Sequence, residues 1–177
     1  MCGIAGYACF GAERPTEKEI KPLWDAQETR GKDASGHAFV QDNVETRFWK
    51  EALPVTNLSP RVDWNAILAS PVALFHARAK TKGSEKEDAN NHPVLACGWI
   101  VVHNGVIGND DSLWKHLATK ASEARPGEVD SSAINLVLEQ GKASEVEEVG
   151  SLGTLTGSMV LAGWRLDNPL RVVLARS

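Results

Sequence analysis

The sequence predicts an α+β fold, with strands and helices gathered in blocks instead of alternating as βαβ units. Three observations carry this. Strand-like runs open and close the chain, and two amphipathic helical stretches lie together between residues 112 and 141. No internal repeat, low-complexity segment or linker interrupts the order. With 42% hydrophobic and 24% charged residues, the 177-residue chain reads as one globular domain, residues 1–177, able to build a real core.

Taken in order, residues 1–10 read as a buried strand, GIAGYACF. Residues 16–30 place Ile20, Leu23, Trp24 and Gln27 at helical spacing, with Pro22 starting or kinking the helix. Residues 36–42 and 45–51 form a hairpin across an Asp42–Asn43 turn. The stretch 71–77, PVALFHA, is a strand, and a polar loop runs from it to Pro93. CGWIVVHN is strongly β-prone, and HNGVIGNDD turns sharply through Gly105 and Gly108. SLWKHLATKASEAR sets Leu113, Trp114, Leu117 and Ala121 on one helical face. In DSSAINLVLEQG, Asp130 or Ser131 caps a helix whose face is Ala133, Ile134, Val137 and Leu138, and Gly141 stops it. GSMVLAGWRLD and PLRVVLARS close the chain as a hairpin across Asn168–Pro169.

Composition removes several function classes. The net charge of -4 and the lack of any lysine- or arginine-rich block argue against direct nucleic-acid binding. No apolar run approaches the roughly 18 residues that span a bilayer, so no membrane partner is expected. The N-terminus has neither a basic leader nor an apolar signal core. Cys2, Cys9 and Cys97 form no disulfide framework and no CxxC pair, which fits a reducing cytoplasm.

Four short stretches carry candidate chemistry. Cys2 becomes the N-terminal residue if Met1 is removed, and its α-amine, with a pKa near about 8, can then serve as base for its own thiol. The alternative is a small buried residue at the start of a strand. RGKDASG, residues 30–36, follows a helix, where Gly31 and Asp33 suit a helix stop and a local cap. Arg78, in HARAKTKG, stands just beyond a strand end, placed either for a bidentate grip on a carboxylate or for a surface ion pair. Asn104–Gly105 supplies two donors of the kind an oxyanion hole requires, or forms an ordinary Asn-Gly turn. His76, His92, His103 and Cys97 lack the spacing of paired metal ligands, so no metal site is expected.

In order and spacing, MCGIAGY, RGKDASG, HARAKTKG, NNHP, HNGVIGN and VDSSAI together resemble the class II glutamine amidotransferase domain, an N-terminal-nucleophile hydrolase. The match runs from Cys2 to about Ile134, with a weaker echo in GSMVLAG and RVVLARS. The resemblance implies a four-layer αββα sandwich of two antiparallel β-sheets, trimmed at the C-terminus relative to family members that continue with further strands. It implies Cys2 as nucleophile, and Asn104 with the Gly105 N–H as oxyanion hole. Arg78 and Thr81 are similar to the residues that hold the glutamine α-carboxylate, and Asp130 to the one that receives its α-ammonium. Arg30 falls where the family orders the terminus near the nucleophile. There are departures: Ala79 stands where an aromatic is usual, Lys80 and Lys82 replace a small residue and a histidine, and DSS replaces DSE.

The function so implied is hydrolysis of glutamine to glutamate and ammonia, with the ammonia supplied to a separate acceptor or synthase protein. No metal or organic cofactor is needed for that half-reaction. A γ-glutamyl amide hydrolase of the same fold and a catalytically silent binding or regulatory module are the alternatives. A homo-oligomer remains open as a further association.

Overall fold

Strand alternation sets the architecture. In the computed structural model, which describes residues 2–117, 124–141 and 144–177, eight strands form two four-stranded sheets. The first contains β1 (Gly3–Ala8), β2 (Ala34–Gln41), β3 (Glu45–Glu51) and β4 (Val72–Arg78), in the order β1-β4-β2-β3. The second contains β5 (Val94–Ala96), β6 (Trp99–Ile107), β7 (Gly157–Arg165) and β8 (Asn168–Arg176), side by side in chain order. Every pairing is antiparallel. Helices α1 (Glu17–Gln27), α2 (Val55–Leu58) and α3 (Trp64–Ala69) belong to the first half, and α4 (Asp110–Leu117), α5 (Ser132–Gln140) and α6 (Glu145–Ser151) to the second.

Successive side chains of a strand point to opposite faces, and in the central strands β4 and β6 both faces are buried. From β4, Val72 and Leu74 meet Ala38, Val40, Ile100, Val102, Ala162 and Trp164 between the sheets. The intervening Ala73, Phe75 and Ala77 pack outward with Ile20, Trp24, Val55, Leu58 and Ile67. Strand β6 repeats the pattern: Ile100 and Val102 face the other sheet, while Trp99 and Val101 pack on Ile134, Val137 and Leu138 of α5. The result is the αββα layering that the resemblance implies. Both faces of β4 are buried along its length, which explains its nearly continuous apolar run.

Local sequence accounts for most element ends. Thr16 and Glu19 form a capping box at the start of α1, which runs unbroken through Pro22. Ile20 and Trp24 are buried as expected, but Leu23 is 51% exposed, because it lies to the side of the stripe that faces the sheet. Asp42 (φ 52°) and Asn43 (φ 62°) both take left-handed backbone to make the predicted hairpin turn. Helix α5 is buried from Ser132 to Leu138 and includes the predicted face.

Other expectations are corrected. Cys97 and Gly98 do not belong to the strand; with φ 49° and 72° they turn β5 into β6. The chain does not turn at Gly105, since β6 continues to Ile107 with Gly105 opposite Met159. A Cβ on Gly105 would lie 2.0 Å from the Ser158 carbonyl oxygen, so close strand approach, not a turn, requires the glycine. The last hairpin turns at Leu166–Asp167, two residues earlier than expected, with Asn168 already paired to Arg165. Helix α4 begins at Asp110, and its predicted continuation through Ala121 lies outside the described residues. Helices α2, α3 and α6 were not legible as amphipathic repeats because they are only 4, 6 and 7 residues long.

Asn135, fully buried on α5, donates from Nδ2 to the carbonyls of Val94, Ala96 and Trp99 at 3.1, 3.3 and 2.8 Å. It therefore pins the β5–β6 hairpin to the helix. Asn135→Ala leaves those carbonyls short of a donor and should lower unfolding free energy by about 2–3 kcal/mol. Urea titration of the variant checks this, and an unchanged midpoint would remove Asn135 as the pin.

Candidate active site

The candidate residues gather where β1 begins and β4 ends. Gly3 is paired with Ala77, so continuing the register sets Cys2 beside Arg78. Alternation puts Cys2 on the face of Ile4, Arg78 on the face of Leu74, and Asn104 on the face of Val102, all toward the space between the sheets. His76 of β4 donates through Nε2 to the backbone carbonyl of His103 on β6 at 3.0 Å, tying the two sheets together at this end.

Cys2 is half-buried, and its Sγ lies 3.5 Å from the Ala79 carbonyl oxygen. Burial pushes the thiol above its usual pKa; Arg78 works against that, and Asp130 adds to it. Both charged residues are thus in electrostatic reach of the sulfur. Arg30 donates through Nε to the Cys2 carbonyl at 2.9 Å. Asp130 is buried and accepts the Ile107 N–H at 2.6 Å, which attaches it to the far end of β6. Asn104 and Gly105 are both partly exposed.

Arg78 is only 2% exposed. Its Nη1 donates to Asn91 Oδ1 at 2.8 Å, and Nη2 donates to the carbonyls of Lys82 and Gly83 at 2.7 and 3.0 Å. The guanidinium therefore shapes the loop that follows it. Thr81 lies in that loop with its side chain exposed. Lys82 reaches away to Asp110 and Asp111, which also bind Arg125, giving a four-charge cluster across three segments. Burial works against the charge on Lys82, but the two carboxylates outweigh it and hold its pKa up.

Several supporting residues escaped the sequence reading. Asp33, read there only as a local cap, takes the Lys80 N–H on its carboxylate at 2.7 Å and gives its own N–H to the Arg78 carbonyl at 3.0 Å. At Gly31 a Cβ would come within 2.3 Å of the Arg78 carbonyl carbon, so RGKD is shaped to fit the loop entrance. Lys50 donates to the carbonyls of Asn91 and Pro93, both at 2.9 Å. Burial brings its pKa down to about 8. Asn90 Oδ1 accepts the N–H groups of Glu128 and Val129 and so holds the approach to Asp130. The only signal for Gly31, Asp33 and Asn90 was their place in the motifs already quoted, and Lys50 lies outside all of them.

Beneath the site lies a group of buried histidines. His76 stacks on His92 with ring centroids 4.1 Å apart, and the Ser131 hydroxyl sits 2.9 Å from His92 Nε2 and 2.8 Å from His103 Nδ1. Burial lowers all three pKa values, that of His76 to about 3. His37, between Trp24 and Phe39, is lowered to about 4 for the same reason.

Two antiparallel sheets sandwiched between helices, with a cysteine leading the first strand into their shared mouth, define an N-terminal-nucleophile hydrolase fold. The glutamine phosphoribosylpyrophosphate amidotransferase of B. subtilis superposes with a TM-score of 0.73 at 15% identity, covering 100% of this chain and 37% of that one. A glutamine aminotransferase class-II domain protein from Silicibacter pomeroyi gives 0.57 at 19% identity, covering 81% of this chain and 68% of that one. No family model matches the sequence. Among curated proteins, the glutamine–fructose-6-phosphate aminotransferase (isomerizing) of Streptomyces coelicolor is 32% identical over 99% of this chain and 29% of its own length. The chain belongs to the class II glutamine amidotransferase family. It spans less than a third of the first curated relatives it matches, at 29%, 30% and 29% of their lengths.

The neutral histidines have a measurable consequence. Unfolded rings bind protons near about pH 6.5, while the folded rings do so only at lower pH. Below about 6.5 the unfolded state therefore holds more protons, and stability falls as pH falls. The contribution of the rings should be flat above pH 7 and drop by roughly 1 kcal/mol per ring for each unit below 6.5. Urea midpoints at pH 7.5, 6.5 and 5.5 check this; equal values would mean that the rings titrate normally.

Proposed function

We propose that residues 1–177 form one glutaminase domain that hydrolyses the side-chain amide of glutamine and supplies the ammonia to a separate acceptor protein. The observation that carries this reading is the strand register that sets Cys2 beside Arg78, on the face that Asn104 also takes from the other sheet, with the Asp130 carboxylate in electrostatic reach of the thiol. Glutamine carries an anion and a cation on its α-carbon, so an arginine and an aspartate select it over a simple amide. Thr81 joins Arg78 at the α-carboxylate, and Asp130 receives the α-ammonium.

A thiol raised by burial needs its proton taken away. Removal of Met1 frees the α-amine of Cys2 to do so, and Arg30, bonded to the Cys2 carbonyl, fixes where that amine lies. The thiolate attacks the amide carbonyl of the substrate side chain. The Asn104 amide and the Gly105 N–H hold the oxyanion. The protonated amine returns its proton to the leaving nitrogen, ammonia departs, and water cleaves the glutamyl thioester to give glutamate and regenerate the thiol. The name of the Streptomyces relative couples glutamine to a sugar phosphate, which supports transfer of ammonia to an acceptor. Among the described residues no helix is long and apolar enough to cross a membrane, and a cytoplasmic site of action fits that.

Purified protein should release glutamate from glutamine and show an intact mass lacking Met1. Cys2→Ala should abolish release, and Asn104→Ala should lower it by about 10²–10³-fold with an unchanged melting temperature. A γ-glutamyl amide panel run alongside tests substrate choice: strong preference for a larger amide would replace glutamine as substrate. Retained Met1, or no glutamate with or without candidate acceptor proteins, would overturn the reading.

A further inference from the structure

We propose that Ser131 is a positioning residue for Asn104 and Gly105, acting through a one-directional hydrogen-bond chain that runs His92 → Ser131 → His103. The inference rests on the glutaminase reading for its catalytic readout but on geometry for its content.

Ser131 is the N-cap residue of α5, yet its side chain makes no capping bond. Its hydroxyl, 1% exposed, faces two imidazole nitrogens instead, His92 Nε2 at 2.9 Å and His103 Nδ1 at 2.8 Å. A hydroxyl has one proton, so between two neutral rings it donates to one nitrogen and accepts an N–H from the other. The two tautomers are therefore linked. The far side of His103 sets the direction: its Nε2 makes no hydrogen bond, but it and the Ser158 carbonyl oxygen both border the Gly105 Cα, 3.0 and 2.0 Å from where a Cβ would stand. A carbonyl oxygen beside Nε2 repels a lone pair and favours a proton there, so the His103 proton is assigned to Nε2. Nδ1 is then bare and accepts the Ser131 O–H, and the Ser131 oxygen takes the N–H of His92 Nε2. His76 Nε2 also faces a carbonyl, that of His103, and must carry its proton there. All three rings are Nε2–H tautomers.

This chain ends on the backbone of the oxyanion hole. The His103 carbonyl and the Asn104 N–H belong to one peptide group, which His76 grips. A Cβ on Gly105 would lie 3.0 Å from His103 Nε2 and 2.0 Å from the Ser158 oxygen, so the ring and the carbonyl that fix the tautomer also wall the Gly105 Cα. One residue away from Ser131, Asp130 holds the Ile107 N–H. Residues 103–107 are thus fastened on both sides of Asn104 and Gly105. Without the Ser131 hydroxyl, the His103 ring loses the partner that orients it.

The test compares Ser131→Ala with Ser131→Thr, which keeps the hydroxyl. In wild type, ¹⁵N spectra of the imidazoles should show His76, His92 and His103 as Nε2–H tautomers. In Ser131→Ala the kcat for glutamine should fall at least about tenfold with little change in KM, as misplacement of a reacting group does. Hydrogen exchange at the Asn104 and Gly105 amides should speed up, and a second tautomer of His92 or His103 should appear. Ser131→Thr should restore all three readouts. Nδ1–H tautomers in wild type, or wild-type kcat and exchange in a folded Ser131→Ala, would overturn the proposal. If the wild-type protein turns over neither glutamine nor γ-glutamyl amides, the functional reading fails, while the ring spectra and amide exchange still decide the positioning.

Discussion

A buried guanidinium that cannot lose its proton constrains everything around the mouth of this sandwich. Arg78 meets neutral acceptors, the amide of Asn91 and the carbonyls of Lys82 and Gly83. A buried charge is tolerated only where its donors are satisfied. The loop after β4 is therefore bent back on its own first residue. Asp33 fixes the loop's entry, Asn91 bonds onward to the Glu85 carbonyl, and Lys50 clamps the carbonyls on either side of His92. Lys82 carries the tension outward to the acidic start of α4. A polar stretch without helix or strand thus becomes an ordered wall of the site.

The same charge helps explain two of the three neutral rings below it, His76 and His92. Arg78 and Lys50 are cations packed beside the histidines, and each makes a further positive charge there less favourable than burial already does. Rings that stay neutral keep lone pairs and single N–H groups, which a directed hydrogen-bond chain needs. Charge at the mouth and neutrality beneath it are two parts of one arrangement: the first is suited to a zwitterion, the second to holding backbone still.

Much of this was legible in the sequence, for physical reasons that can be named. Long amphipathic or alternating runs such as α5, β4 and the β2–β3 hairpin declare themselves because one local pattern decides them. The Cys97–Gly98 turn and the straight passage through Gly105 were misread because local turn chemistry favours Asn-Gly, while strand register and the approach of Ser158 decided the outcome. The short helices α2, α3 and α6 lack enough turns for a period to show. At the site, the motif order drew attention to Cys2, Arg78 and Asn104, which strand register sets on facing surfaces, but not to their supports. Nothing local marks Asp33 as a holder of Lys80 or Ser131 as a bridge between two histidines, since each acts on a partner 47 or 28–39 positions away.

Strand parity leaves a lasting mark on how such a protein can change over generations. In β6, odd positions such as Trp99, Val101 and His103 serve the helical side, while Ile100, Val102 and Asn104 serve the space between the sheets. Inserting or deleting one residue within that strand would exchange the two sets, burying an amide in the helix layer and sending an imidazole to the mouth. The same holds for β1 and β4, so length changes in the three strands that bear Cys2, Arg78 and Asn104 are closed to it. Hairpin tips such as Asp42–Asn43 and Leu166–Asp167 lie outside those three strands, and added or lost residues there leave the register of the site-bearing strands intact.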